Sequence, residues 1–315
     1  MDWVRCVSSG IAGMTLLYFG AEWLVKGGCG IARKCRISPL VIGLTLVAFA
    51  TSAPELVVSI ISALEGYGDV SLGNVVGSNI CNITVILGLS ALIAPVAVHP
   101  GLLKLDMPLL AGASILLTGI VLAADGVGRI AAFAFLVCGL WYTVHKIRSS
   151  RRENREAEEL PSPGEMRLWA AAVLVVLGLG ALTLGARLFV DSAVFAAHEL
   201  GISDAVIGLT IVALGTSLPE LATSAVAAFK GEQDIAVGNV VGSNLMNILL
   251  ILGVAPLIRP IAVKDILWTD FAVMLGVTFA LWGLMFFRKR IGRIAGAAFL
   301  LAACVYTAYL IVRNG

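Results

Sequence analysis

Residues 37–98 and 202–263 align without a gap at an offset of 165, and 35 of the 62 paired positions are identical. Within that frame Ile42-Gly43-Leu44-Thr45 returns as Ile207-Gly208-Leu209-Thr210, and Thr51-Ser52-Ala53-Pro54-Glu55 as Thr216-Ser217-Leu218-Pro219-Glu220. The run Gly73-Asn74-Val75-Val76-Gly77-Ser78-Asn79 recurs unchanged from Gly238 to Asn244, and Asn82 recurs as Asn247. The chain around these polar residues is strongly apolar: 59% is hydrophobic and only 13% charged, where a soluble domain carries about 25% charged residues. Mean hydropathy is +0.97. Lipid is therefore the main solvent, and in lipid the repeated residues are the costly ones. Matched polar, helix-breaking segments in the two halves of a membrane chain point to a substrate site between the halves.

About 20 apolar residues cross a bilayer as a helix. On that measure the sequence predicts ten spans, near 8–30, 39–65, 70–94, 105–124, 127–147, 168–197, 204–229, 234–258, 267–287 and 291–312. The short n-region of mixed charge, Met1 to Arg5, does not read as a secretory signal, so the first segment is expected to be a retained membrane helix. The one extended hydrophilic stretch, Lys146 to Arg167, falls between the repeats. The expected organisation is an all-α integral membrane protein with a first five-helix repeat at 1–148, a linker at 149–166 and a second repeat at 167–315. Five spans is an odd number, so the second copy enters the membrane from the opposite face and the repeats are inverted. Charge supports the count. Sixteen Lys and Arg fall in loops on the linker side and five on the other side, with Arg187 inside a span. The positive-inside rule then puts the linker in the cytoplasm and both termini outside, in a cell membrane. A net charge of +2 gives no footprint for nucleic acid.

Glu55 and Glu220 follow a proline by one residue, deep in apolar segments. Proline removes one backbone hydrogen bond and crowds the carbonyl four residues back, which frees oxygens near Ala50 and Thr51 and near Gly215 and Thr216. A carboxylate in the membrane costs roughly 2.5 kcal/mol or more on insertion scales and marks function by default. No repeated Lys or Arg stands beside either glutamate, so the counter-charge is expected to be protons or a bound cation. Thr51, Ser52, Ser78, Asn79 and Asn82 surround one glutamate, and Thr216, Ser217, Ser243, Asn244 and Asn247 the other. This oxygen-rich set, without histidine or thiolate, suits Ca2+ or Na+ better than zinc or copper.

Plainer roles fit other residues. Gly73 with Gly77, and Gly238 with Gly242, read as helix-packing devices, and Asn74, Asn79, Asn239 and Asn244 serve equally as interhelical hydrogen-bond glue. Glu22 with Lys26, and Arg187 with Asp191, can each satisfy one another along their own helix. Asp69 and Asp234 are expected to cap the helices that follow them. His99, His145 and His198 sit at span ends, and the six scattered cysteines read as small apolar filler.

At Ala50-Thr51-Ser52-Ala53-Pro54-Glu55 with Gly73 through Asn82, and at Gly215-Thr216-Ser217-Leu218-Pro219-Glu220 with Gly238 through Asn247, the chain resembles the cation/calcium exchanger superfamily. The resemblance implies a ten-helix sodium/calcium exchanger fold with four cation sites between the second, third, seventh and eighth helices. It implies that Ca2+ and Na+ share Glu55 and Glu220. Thr51, Ser52, Thr216, Ser217, Ser78, Ser243 and the carbonyls of Ala48 and Ala213 complete the sites, and Asn82 and Asn247 line the middle. Long first and sixth helices bearing Gly20, Gly27, Gly28, Gly178, Gly180 and Gly185 are implied as a sliding gate. Two departures stand out: Ala50 replaces the first motif's usual glycine, and Asn247 stands where many relatives have aspartate. The latter leaves two carboxylates, not three, and disfavours a potassium requirement. The expected activity is Na+/Ca2+ antiport by a monomer without prosthetic group and without enzymatic chemistry. A H+/Ca2+ antiporter on the same fold is the alternative.

Overall fold

The computed structural model describes residues 2–156, 166–200, 213–263, 268–288 and 290–314. Helix α1 runs Trp3–Cys35; Asp2 caps its start by accepting from Arg5 N at 2.8 Å, and Arg36 ends it in the left-handed region. Ser38 caps and Pro39 opens α2, Pro39–Thr51, which is bent by 46° against α3, Ala53–Glu65. Helices α4 (Gly68–Ile93), α5 (Leu102–Ala124) and α6 (Arg129–Glu156) complete the first half. The second half holds α7 (Leu168–Glu199), α8 (Leu218–Phe229), α9 (Gln233–Ile258), α10 (Trp268–Phe287) and α11 (Arg293–Asn314). Among the described residues eight helices are long and apolar enough to cross a bilayer, or nine with the bent α2–α3 pair counted as one broken span. The tenth expected segment, 204–229, is seen as Ala213–Gly215 followed by α8; the rest of it lies outside the described residues.

Two small pairings relate the halves by an approximate two-fold axis. Strand β1 (Val96–Ala97) of the first half pairs with β4 (Arg290–Ile291) of the second, and β2 (Gly126–Val127) of the first pairs with β3 (Ile261–Ala262) of the second. Val96 opposes Ile291 as Ile261 opposes Val127. Such an exchange is what a two-fold axis between the halves produces. Arginines repeat it: Arg129 Nε donates to Leu257 O at 3.3 Å and Arg293 Nε to Leu92 O at 3.1 Å. Each places a cation on the last carbonyls of the other half's helix, where the helix dipole favours it.

The most apolar windows of α4 and α9 are 67% and 78% buried, those of α6 and α11 only 17% and 11%. The central layer is therefore α4 with α9, and the outer helices meet lipid. Helices α1 and α7 pack antiparallel along a ridge of small residues, Gly13 against Gly185, Gly20 against Gly178, and Gly27 against Ala171. A Cβ at Gly20 would lie 2.8 Å from Leu182 N, so only glycine permits this approach. Gly28 instead faces Ile42 and Val47 of the bent second span.

Two expectations need correction. Glu22 does not turn to Lys26; it pairs with Lys230 beyond the end of α8, because the close α1 packing brings the second half within reach. Asp69 and Asp234 are not caps. Tyr67 and Glu232 hold the cap positions, and both aspartates lie in the first turn, where the helix dipole favours negative charge.

Candidate cation site

The second span breaks at Ser52 (φ −80°, ψ 5°), and Ser217 has nearly the same conformation (φ −89°, ψ 5°). Pro54 and Pro219 sit in the first turn of the helix that restarts after each break, where a missing N–H costs nothing. Glu55 and Glu220 therefore occupy the first turns of α3 and α8, where the positive end of the helix dipole favours a carboxylate. The break also separates Thr51, at the end of α2, from Glu55 at the start of α3.

Each glutamate is 1% exposed. Each accepts one hydrogen bond from a hydroxyl of the opposite half: Ser52 Oγ donates to Glu220 Oε1 at 3.0 Å and Ser217 Oγ to Glu55 Oε1 at 3.3 Å. The other carboxylate oxygens, Glu55 Oε2 and Glu220 Oε2, are buried without a donor. Among the described residues no Lys, Arg or His pairs with either acid.

Behind them, Asn74 Nδ2 donates to Glu55 O (3.1 Å) and Ser59 Oγ (2.9 Å), and Asn239 Nδ2 to Glu220 O (3.3 Å) and Ser224 Oγ (2.9 Å). These amides hold the backbone of each acid in place. Thr51 Oγ1 lies 3.1 Å from Asn239 Oδ1, and 3.1 and 3.3 Å from the carbonyls of Val47 and Ala48; its single proton serves one of them. The Ala48 carbonyl also accepts from Ser52 N at 2.9 Å.

Four asparagines cross between α4 and α9. Asn82 Nδ2 donates to Asn244 Oδ1 at 2.9 Å and Asn247 Nδ2 to Asn79 Oδ1 at 3.0 Å. Asn79 and Asn244 donate in turn to each other's backbone carbonyl, at 3.4 and 3.2 Å. With those donors engaged, Asn79 and Asn244 can offer only Oδ1, which fixes the amide orientation of Asn82 and Asn247. Their Oδ1 atoms are left buried and unpaired, as is Ser243 Oγ. Asn82 and Asn247 each open a π-helical turn, Asn82–Ile86 and Asn247–Ile251, a device common at functional sites.

The halves differ on their flanks. Gly242 packs so tightly on α2 that a Cβ would lie 2.6 Å from Leu44 O, so the packing reading holds for Gly238 and Gly242. Gly73 and Gly77 instead line a cavity of about 390 Å3 with Asn74, Ser78, Cys81 and Thr216. Ala213 begins the short Ala213–Gly215 turn just before Thr216. Chemically, the centre assembles Glu55 Oε2, Glu220 Oε2, Asn82 Oδ1, Asn247 Oδ1 and Ser243 Oγ as buried oxygens with unused lone pairs. An unpaired buried acceptor is expensive, and an oxygen-only set suits a hard cation.

A second pair of buried acids escaped the sequence reading. Asp106 accepts from Tyr142 OH at 2.9 Å and from Lys146 Nζ at 3.0 Å. Asp270 accepts from Tyr306 OH at 2.9 Å and from Arg313 Nη1 at 3.0 Å. Aspartate and tyrosine recur at an offset of 164, one residue out of register with the motif repeat, whereas the cation does not, since Lys146 corresponds to Leu310. The signal was the Asp-to-Tyr spacing of 36, identical in both halves.

The family model for sodium/calcium exchanger protein matches residues 8–148 and again 170–312. A protein of Alkalimonas amylolytica provisionally named antiporter CaxA is 40% identical over 307 residues, covering 94% of this chain and 95% of its own. Sodium/calcium exchanger MaX1 of Methanosarcina acetivorans is 32% identical over 311 residues, covering 86% of this chain and 88% of its own. A solved structure of the sodium-calcium exchanger NCX_Mj, soaked with zero Na+ and Ca2+, superposes with a TM-score of 0.84 at 33% identity, over 98% of this chain and 100% of that one. With the family model laid once over each half and a solved exchanger matching nearly end to end, the chain belongs to the sodium/calcium exchanger family of multi-pass membrane transporters and is not an enzyme.

Proposed function

We propose that this chain is a secondary antiporter that exchanges Na+ for Ca2+ across the cell membrane by alternating access, with the linker 149–166 cytoplasmic and both termini outside. The observation that carries the reading is the pair of buried carboxylate oxygens, Glu55 Oε2 and Glu220 Oε2, that lack any donor. Glu55 and Glu220 bind either ion in turn. Ser52, Ser217, Thr51, Thr216, Ser78, Ser243, Asn82, Asn247 and the carbonyls of Ala48 and Ala213 complete the coordination.

Coupling follows from charge. Two carboxylates neutralise one Ca2+, or are neutralised by Na+, but not by both at once. Without an ion the two negative charges resist burial in an occluded state, because an unpaired charge in low dielectric is costly. Empty return is thereby suppressed. Asn247 contributes a neutral oxygen where a third acid would stand, so part of the charge of several Na+ goes unbalanced by side chains. MaX1 and NCX_Mj carry the name sodium/calcium exchanger, which supports Na+ as the driving ion.

The rival reading replaces Na+ by H+, since a proton would also satisfy each Oε2. Isotopic Ca2+ uptake into proteoliposomes under imposed Na+, K+ or H+ gradients separates them. The proposal expects uptake driven by an outward Na+ gradient alone. Uptake driven only by the pH gradient establishes the rival, and a conductance without exchange overturns both.

A further inference from the structure

Many hydroxyls inside the spans satisfy themselves locally. Thr45, Thr84, Ser114, Thr118, Thr143, Thr183, Ser192 and Thr278 each donate to the carbonyl four residues back, at 2.6 to 2.9 Å. This is the default for Ser and Thr in an apolar helix. Thr223 and Ser90 do otherwise. Both are 0% exposed, both have a helical residue four positions back, and both hydroxyl oxygens are buried without a partner. Neither belongs to the repeated motifs.

Helix phase places each on the face of its helix that carries a site residue. Thr223 follows Glu220 by three residues, so it lies on the same face of α8. Ser90 follows Asn82 by eight, which in a regular α-helix leaves the two side chains about 80° apart. The π-helical turn at Asn82–Ile86 absorbs about one residue and reduces that angle to roughly 20°. Helix α8 packs against the last turns of α4, the segment that carries Ser90. Each helix therefore presents one unpaired hydroxyl further along than its site residue, by about one turn in α8 and two in α4, and the two helices touch.

The arrangement is one-sided. The repeat partners of Thr223 and Ser90 are Val58 and Ala255, which offer no oxygen, and Val58 lines the cavity on the opposite flank. In the proposed orientation both hydroxyls lie between the carboxylates and the cytoplasm.

We propose that Thr223 and Ser90 form a cation station on the cytoplasmic side of Glu55 and Glu220, which takes Na+ in transit between the site and that face. Two neutral oxygens replace part of the hydration shell of a singly charged ion, whereas a divalent ion at this depth needs carboxylates. Ca2+ therefore passes without using the station. The inference rests on the proposed Na+/Ca2+ exchange and adds an asymmetry that the inverted repeat lacks.

The test uses the full chain in oriented proteoliposomes, with Na+ titrated from one face at a time while Na+-dependent Ca2+ flux is followed. Thr223→Val and Ser90→Ala are expected to raise the half-saturating Na+ by about 3- to 10-fold from the cytoplasmic face, the scale of one lost neutral hydrogen-bonding group. From the other face it stays unchanged, as does half-saturating Ca2+, and Thr223→Ser restores the wild-type value. Half-saturation is independent of how much protein folds. Equal shifts from both faces show a packing role and overturn the proposal, as does no shift from either. Wild-type flux that ignores Na+ overturns the exchange reading itself, and the station with it.

Discussion

Glu55 and Glu220 are buried to the same degree as the peripheral acids: they are 1% exposed, Asp106 0% and Asp270 5%. Asp106 has Lys146 and Tyr142, and Asp270 has Arg313 and Tyr306, as built-in partners. Glu55 and Glu220 each have one serine hydroxyl from the other half and one bare oxygen. Burial is the same and the counter-charge is not. Where the cation is a side chain the acid ties one helix to its neighbour, α5 to α6 or α10 to α11, permanently. Where the protein supplies none, the proposed site takes its cation from solution and can release it again, as transport requires.

The comparison breaks first at the centre. Glu55→Gln or Glu220→Gln keeps the shape and removes a charge that nothing else replaces. Losing one partner of a buried charge pair costs about 2–5 kcal/mol, so apparent Ca2+ affinity should fall by roughly 30-fold to over 1,000-fold in isotopic flux, with little change in thermal unfolding. Normal exchange by either variant would remove that glutamate from the site.

At the periphery the opposite is expected. Lys146→Met strands Asp106 as an uncompensated buried acid and should destabilise the protein by about 3–5 kcal/mol. Adding Asp106→Asn should recover most of that loss, and exchange per folded molecule should change little. Thermal unfolding in detergent reads the first effect, and flux normalised to folded protein the second.

Between these extremes, Asn244→Ala removes the acceptor of Asn82 Nδ2 and the donor to Asn79 O. A buried group left unpaired costs about 1–3 kcal/mol. Half-saturating Ca2+ should rise by roughly 10-fold, because Asn82 loses its fixed orientation; an unchanged value would reduce the asparagine network to packing alone. The smallest effect belongs to Glu22→Gln. Its pair with Lys230 is about a third exposed on each side, and such pairs contribute roughly 0–1 kcal/mol, so unfolding should shift within that range.

The proposed central site was legible because it is written twice. Glu55 and Glu220, their prolines and their hydroxyls recur at one constant offset in an apolar background, where polar residues have no other excuse. The asparagines were visible but ambiguous, since hydrogen-bond glue and ion ligand use the same residue types. In the structure Asn79 and Asn244 act as the glue that aims Asn82 and Asn247, a division of labour that depends on which amide faces which. Asp106 and Asp270 were missed because their partners lie 36 or more residues away on the next helix, beyond any local pattern.

By itself the sequence determined the solvent and singled out the two buried acids, and it set the expectation of ten spans in inverted halves, because hydropathy and repetition are properties of the chain alone. The tertiary structure decided which charges meet. Glu22 finds Lys230 and not Lys26, Lys146 neutralises Asp106, and Ser52 and Ser217 reach across to the other half's glutamate. Such contacts depend on how closely whole helices approach and at what register. The glycine ridge between α1 and α7, the π-helical turns at Asn82 and Asn247, and the reciprocal strand pairs set that geometry only once both halves have packed.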